Sequence, residues 1–256
     1  MFQPRIERIK AILGKTPANI GHRGARGLAP ENTLVSFLVG SDSTRFFELD
    51  TMLCASGELV VIHDFTVDRT TDGKGKVADY KYRALAELDA GSFFEEAFEG
   101  EQIPTLSQVI QTLPENTVFD IEMKSEGKKE ERQALASALV KLIRKYKLSD
   151  RIWVSSFDWD LVDLIRIEEP EVLRGLLVEK GNSLNKSYGD FEPDLILPHL
   201  SACTKEFVQG LKEESLLVIP YTTNTEEEWS QLMEVGVAGL ITDYPDRLAE
   251  FLESKK

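Results

Sequence analysis

At 256 residues, with 42% hydrophobic and 29% charged side chains, the chain is an ordinary globular sequence long enough for one large single-core domain. Its formal net charge of −14, from 30 basic and 44 acidic residues, lacks the basic field that nucleic acid or an anionic membrane surface requires of a partner. The two cysteines, Cys54 and Cys203, cannot make a disulfide framework and read as reduced thiols.

The first twenty residues carry Arg5, Glu7, Arg8 and Lys10 without an apolar stretch of signal-peptide length, and no run anywhere reaches the length of a membrane helix. A cytoplasmic protein is expected, in which the Asn-x-Ser match at Asn185 carries no meaning. Short apolar runs then recur: "ANIGH", "RFFELDTML", "ELVVIHD", "TVFDIEMK", "RIWVSSF", "VLRGLLVE", "DLILPHL", "LLVIPYTT" and "GLITD". Their length and richness in Val, Ile, Leu and Phe suit strands buried on both faces of a parallel sheet.

Only about four residues, Cys54 to Gly57, separate the second run from the third, whereas a parallel crossover needs about a dozen. These two must pair as an antiparallel hairpin. A four-residue turn would set His63 opposite Glu48 and a two-residue turn opposite Asp50, beside the acid pair either way. Between Phe65 and Ile103 the rhythm breaks into turn glycines and scattered aromatics, read as a small insertion subdomain, 65–103, over one side of a barrel mouth.

Helical signals fill the other gaps. Thr105 with Gln108 and Thr225 with Glu228 form capping boxes, and Gly236 marks a helix end. Leu135, Leu139, Leu142 and Tyr146 make one apolar helical face. With one run assigned to the hairpin, eight strands alternate with helices. The expected fold is α/β, a (β/α)8 TIM barrel filling residues 1–256 as one domain, with an open doubly wound sheet as runner-up.

Strand ends carry the active residues of such barrels. Glu48 and Asp50 lie two apart on one strand and share a face, where like charges lose hydration and repel. Glu122 is a third acid within an apolar strand, and Lys124 shares its face. Three hard oxygen donors without clustered Cys or His suit Mg²⁺ or Ca²⁺ better than zinc. His22 and His63 end strands near these acids and are the candidate acid and base, since imidazole titrates near neutral pH. Arg23 offers a forked contact for a phosphate oxygen, with Lys124 as a second positive charge. Gly21, Gly24 and Gly27 would then relax the loop for close approach to a ligand. His199 also ends a strand but has no evident partner.

Taken together, "GHRGARGLAPENT", "FELDTMLCASGELVVIHDFTVDRTTDGKG", "IPTL", "DIEMKS", "VSSFD" and "GLITDYPD" resemble the glycerophosphodiester phosphodiesterase family, in order from Ile20 to Asp246. The resemblance implies a TIM barrel with an insertion after the "HD" segment, and hydrolysis of glycerophosphodiesters to glycerol 3-phosphate and an alcohol. It implies Glu48, Asp50 and Glu122 as metal ligands, His22 and His63 as acid and base, and Arg23 and Lys124 as phosphate contacts. Departures are "CASGE" in the hairpin turn and Tyr221 in "YTTN", the latter placed to alter the pocket for the alcohol. The alternatives are a lysophospholipase D-like preference, with Phe93, Phe94 and Phe98 as an apolar wall, a cyclic-phosphate-forming phospholipase, and a non-catalytic binder of phosphate ligands. Monomer and homodimer both fit a chain of this size.

Overall fold

The computed structural model describes residues 3–14, 17–182, 184 and 186–255; Asn185 of the Asn-x-Ser match lies outside them. Among the described residues nine strands form in chain order: β1 (Ala18–Gly21), β2 (Phe46–Leu53), β3 (Leu59–Val61), β4 (Val118–Met123), β5 (Ile152–Ser156), β6 (Leu173–Val178), β7 (Leu195–Pro198), β8 (Leu217–Val218) and β9 (Gly239–Thr242). All but β3 run parallel, in the order β8-β7-β6-β5-β4-β2-β1-β9. The two ends of this sheet meet. Ala238 N–H donates to Val218 O at 2.8 Å, Ile241 N–H to Pro220 O at 3.1 Å and Thr223 N–H to Ile241 O at 2.8 Å. The sheet is therefore a nearly closed (β/α)8 barrel and not an open doubly wound sheet. Strand β8 is shorter than the run Leu216–Thr223 because Pro220 has no N–H to give the ladder, while Ile219 and Tyr221 on either side still bond to β7.

Alternation along each strand sorts two cores. Phe47 and Leu49 of β2, Phe119 and Ile121 of β4, and Ile152 and Val154 of β5 point outward into the layer shared with the helices. Ile20, Phe46, Val118, Trp153, Leu173, Leu195, Ile219 and Ile241 point inward and fill the lower barrel, joined by Ile9 and Leu13 of α1 (Gln3–Leu13). The inner parity of β2 continues to Glu48 and Asp50 and that of β4 to Asp120 and Glu122, so hydrocarbon fills the floor and carboxylates the upper layers.

The remaining helices are α2 (Leu34–Ser41), α3 (Tyr82–Leu85), α4 (Leu106–Thr112), α5 (Lys129–Tyr146), α6 (Trp159–Glu168), α7 (Lys205–Glu213), α8 (Glu226–Val235) and α9 (Pro245–Ser254). Both capping boxes form, at the starts of α4 and α8, and Gly236 closes α8 in the left-handed region with φ +81°. The buried stripe of α5 is Leu135, Ala136, Leu139, Val140 and Ile143; Leu142 and Tyr146, expected on it, sit half-buried at its flank.

The hairpin forms in a register between the two expected ones. Leu53 pairs with Leu59 and Thr51 with Val61, and Ile62 N–H reaches Asp50 O, so three residues, Ala55 to Gly57, make the turn. Gly57 takes φ +89° there, the left-handed position of a three-residue hairpin loop. From Phe65 the chain packs Val67, Val77, Leu85, Ala90 and Ile103 against Met52, Cys54, Val60 and Ile62 of the hairpin, a hydrophobic cluster apart from the barrel's own. Cys54 and Cys203 are both free. No helix among the described residues is long and apolar enough to cross a membrane.

Candidate active site

At the carboxyl ends of the strands, β1, β2, β4 and the hairpin bring all seven sequence-predicted residues together. Oxygens of Glu48, Asp50 and Glu122 lie within 4.8 Å of one another, all three residues buried. Asp50, fully buried, is the anchor: Asn32 Nδ2 donates to its Oδ2 at 2.9 Å, Arg23 Nε lies 3.2 Å from the same oxygen and Lys124 Nζ lies 3.2 Å from Oδ1. Oδ1 itself has no hydrogen-bond partner among the described residues. Lys124 Nζ donates to Glu122 Oε1 at 2.6 Å, and the Arg23 backbone N–H donates to Glu48 Oε2 at 3.0 Å.

The three carboxylates do not share one ionisation. Burial opposes charge on Asp50, yet the Lys124 and Arg23 cations beside it hold its pKa below the usual carboxylate range. Burial, with Asp50 and Glu122 as like-charged neighbours, raises Glu48 well above that range. Burial also lifts Glu122 to about 7, against the pull of Lys124. A site that holds one firm anion and two reluctant ones has unspent capacity for positive charge.

Each imidazole is tethered through Nδ1. His22 Nδ1 is 2.6 Å from Asp243 Oδ1, and His63 Nδ1 is 2.6 Å from Asp64 Oδ1. Such a bond fixes ring and tautomer and leaves Nε2 as the exchangeable nitrogen. His22 Nε2 lies 3.9 Å from Glu48 Oε2. Burial lowers the pKa of both histidines from the ordinary value, and Arg23 adds to the lowering of each.

Sequence reasoning passed over the tethers. Asp243 and Asp64 stand inside quoted runs, one ending "GLITD" and one following His63 directly; a carboxylate beside a candidate histidine was the available signal. Asn224 holds Asp243 in turn, donating to Oδ2 at 2.9 Å. Asp120, a fourth buried acid on the inner parity of β4, was also missed; burial lifts it to about 7, and its Oδ1 accepts from Ser155 at 2.6 Å.

The site opens into a cavity of about 230 Å³ lined by His22, Arg23, Glu48, His63, Glu122 and Tyr221, among others. A second cavity of about 380 Å³ shares His63, Glu122 and Phe157 with it or its rim and is walled further by Phe65, Asp158 and Glu179. Phe65, Phe157 and Tyr221 are therefore the aromatics that line these two cavities, and Phe93, Phe94 and Phe98 line neither. Tyr221 stands edge-on to Phe157 at 5.9 Å and donates its hydroxyl to Val178 O at 2.9 Å. His199 caps the short 3₁₀ helix Leu200–Ala202 by accepting from Ser201 N–H, and it packs edge-on to Tyr221. That is a structural role.

The loop glycines serve the protein's own packing. Gly24 takes φ +90°, and a Cβ there would lie 2.5 Å from Ser36 Oγ, the hydroxyl that also binds Ala25 N–H and Arg23 O. A Cβ on Gly21 would strike Gly24 O, and one on Gly27 the Tyr244 ring. At all three positions it is chain that approaches chain. Gly24→Ala is expected to lower the unfolding free energy by about 1–3 kcal/mol, read by urea denaturation; an unchanged midpoint would remove the argument.

Known proteins resemble this barrel along nearly its whole length. A glycerophosphodiester phosphodiesterase of Caldanaerobacter subterraneus subsp. tengcongensis is 34% identical over 237 residues, covering 90% of this chain and 95% of that protein. A phosphodiesterase of Oleispira antarctica, solved with the product sn-glycerol-3-phosphate, is 27% identical with a TM-score of 0.86, covering 91% of this chain and 96% of that one. A solved structure from Silicibacter pomeroyi covers 97% of both chains with a TM-score of 0.88 at 25% identity. The family model for glycerophosphoryl diester phosphodiesterases matches residues 22–247, from the first candidate histidine past the aspartate that tethers it, and the chain belongs to that family.

Proposed function

We propose that the protein hydrolyses glycerophosphodiesters to sn-glycerol 3-phosphate and an alcohol, with His22 and His63 as the acid–base pair and a divalent cation held by Glu48, Asp50 and Glu122. Family membership makes the chain a phosphoric diester hydrolase. The observation that carries the finer reading is the three-carboxylate cluster flanked by two imidazoles, each tied at Nδ1 to an aspartate. The donor set fits a hard cation: three carboxylate oxygens within 4.8 Å, one of them a buried Asp50 oxygen lacking any hydrogen bond among the described residues. Mg²⁺ and Ca²⁺ both suit it.

Bound there, the cation would neutralise charge on the non-bridging phosphate oxygens. The chain's own residues divide the rest. Arg23 and Lys124 supply positive charge for the phosphate. One imidazole takes the nucleophile's proton at Nε2, and the other gives a proton from Nε2 to the leaving alkoxide oxygen. Water supplies the oxygen and both protons that balance the two products.

The larger cavity is assigned to the leaving alcohol. Its Phe157 ring already faces a cation, with Lys124 Nζ 6.0 Å from the centroid, and Glu179 adds a carboxylate at the rim. Phe157→Ala is expected to raise KM for glycerophosphocholine by about 3- to 30-fold, the range of a cation–π contact. Equal changes in KM for glycerophosphocholine and glycerophosphoglycerol would remove the aromatic contact from the reading.

Residues 65–103 are read as an insertion subdomain of a single domain spanning 1–256, and the free thiols suit the reducing cytoplasm. The first test is release of glycerol 3-phosphate from glycerophosphocholine and glycerophosphoethanolamine with EDTA, then with Mg²⁺ or Ca²⁺ restored. Cation-dependent release is expected. Full activity in EDTA would sink the cation, and no release from folded, cation-supplied protein would sink the hydrolase reading.

A further inference from the structure

Outside the carboxylate cluster, a dense charge network centres on Glu31, in the loop between β1 and α2. Its side chain is 4% exposed and takes four guanidinium N–H bonds. Arg23 Nη1 reaches Oε1 at 2.7 Å, and Arg26 Nε reaches Oε2 at 3.1 Å. Arg69 grips both oxygens with its fork, at 2.8 and 2.9 Å.

Two of these arginines continue to the histidine tethers. Arg69 bonds Asp64 with Nε at 2.7 Å and Nη2 at 3.1 Å, and Asp64 holds His63. Arg26 Nη1 lies 3.7 Å from Asp243 Oδ2, and Asp243 holds His22. Asp64 and Arg69 are both partly exposed, 28% and 42%, so neither is fixed by packing alone. Glu31 is the one buried group in the path to His63.

We propose that Glu31 is a positioning residue: through Arg69 and Arg26 it fixes Asp64 and Asp243, and so the rings of His63 and His22. A tether that can itself rotate does not define an imidazole's direction. The forked grip of Arg69 on two carboxylates at once removes that rotation, because both planar groups must stay coplanar with one guanidinium. The arrangement also ties the β1 loop to the 65–103 segment, so the two histidines, 41 positions apart in sequence by their numbering, are set by one carboxylate. This role rests on the hydrolase reading for its kinetic consequence, but not for its structural one.

The test uses the full-length protein with ¹⁵N-labelled histidine. Glu31→Gln is expected to shift the hydrogen-bonded Nδ1 proton of His63 upfield and speed its exchange, with the circular dichroism unchanged. It is also expected to lower kcat by about 10- to 100-fold, the usual cost of losing an orienting partner. On an Asp64→Ala background, where His63 has lost its tether, the same change should cost less than in the parent protein, because only the branch through Arg26 and Asp243 to His22 is left to disturb. Arg69→Lys, at a half-exposed position that tolerates substitution, keeps the charge and loses the fork, and should shift the same proton. Unshifted imidazole protons in both variants, or a loss that multiplies in full with that of Asp64→Ala, would overturn the proposal. If the unmodified protein turns over no diester, the hydrolase reading fails, while the proton resonances still decide the positioning role.

Discussion

His63→Ala is expected to lower kcat by about two to four orders of magnitude, the range over which a positioned acid or base acts. The fold should survive. His63 is only partly buried, and its tether Asp64 keeps both bonds from Arg69 when the imidazole is gone. Cation binding should survive as well, because Glu48, Asp50 and Glu122 are untouched. His22→Ala should cost a similar factor, with Asp243 still held by Asn224. Since the two rings act on one reaction, the double variant should lose little more than either single one. Steady-state rates on glycerophosphocholine decide this, and near-normal turnover by His63→Ala would remove it from the acid–base pair.

Glu48→Ala should weaken affinity for Mg²⁺ or Ca²⁺ by about two orders of magnitude, because hard-cation affinity depends on the number of carboxylate ligands. Titration calorimetry on the protein without substrate reads this directly, and unchanged affinity would take Glu48 out of the ligand set. A stability cost accompanies it. The Arg23 N–H that donates to Glu48 Oε2 at 3.0 Å is left buried and unpaired, at about 1–3 kcal/mol. Relief of the like-charge contact with Asp50 and Glu122 offsets part of that cost, since those charges push the Glu48 pKa upward. Glu48→Gln separates the two effects: it can still accept the N–H bond but offers the cation no charge.

Both variants rest on residues that were readable before any fold was seen. Glu48 and Asp50 share a face because strands alternate, and His63 lies near them because four to five residues cannot support a parallel crossover. These arguments are local, needing a few neighbours and the geometry of one strand or one turn. Where a local rule admitted two outcomes, it missed. Turns of two and four residues are both compatible with the spacing, and the chain uses three, because Gly57 supplies the left-handed position that a three-residue turn needs.

The alternation of eight barrel strands with helices, the hairpin, the inward parity of the acids and the capping boxes are all legible along the chain, each set by short-range periodicity or by a side chain bonding its own backbone. Packing across the whole barrel was needed for the closure of β8 on β9, the glycines' contacts with Ser36 and Tyr244, and the placing of Phe65, Phe157 and Tyr221, and not Phe93, Phe94 and Phe98, on the walls of the two cavities. It also decided the tethers. His22 and Asp243 are 221 positions apart and meet only because β1 and β9 pair in parallel, Gly21 beside Thr242. Glu31 finds Arg69 across 38 positions because the fold brings the segment after the hairpin beside the loop between β1 and α2. The identity of a charged residue says that it needs a partner when buried, but which partner is a matter of distance in the folded chain, and that distance exists only once the barrel has closed.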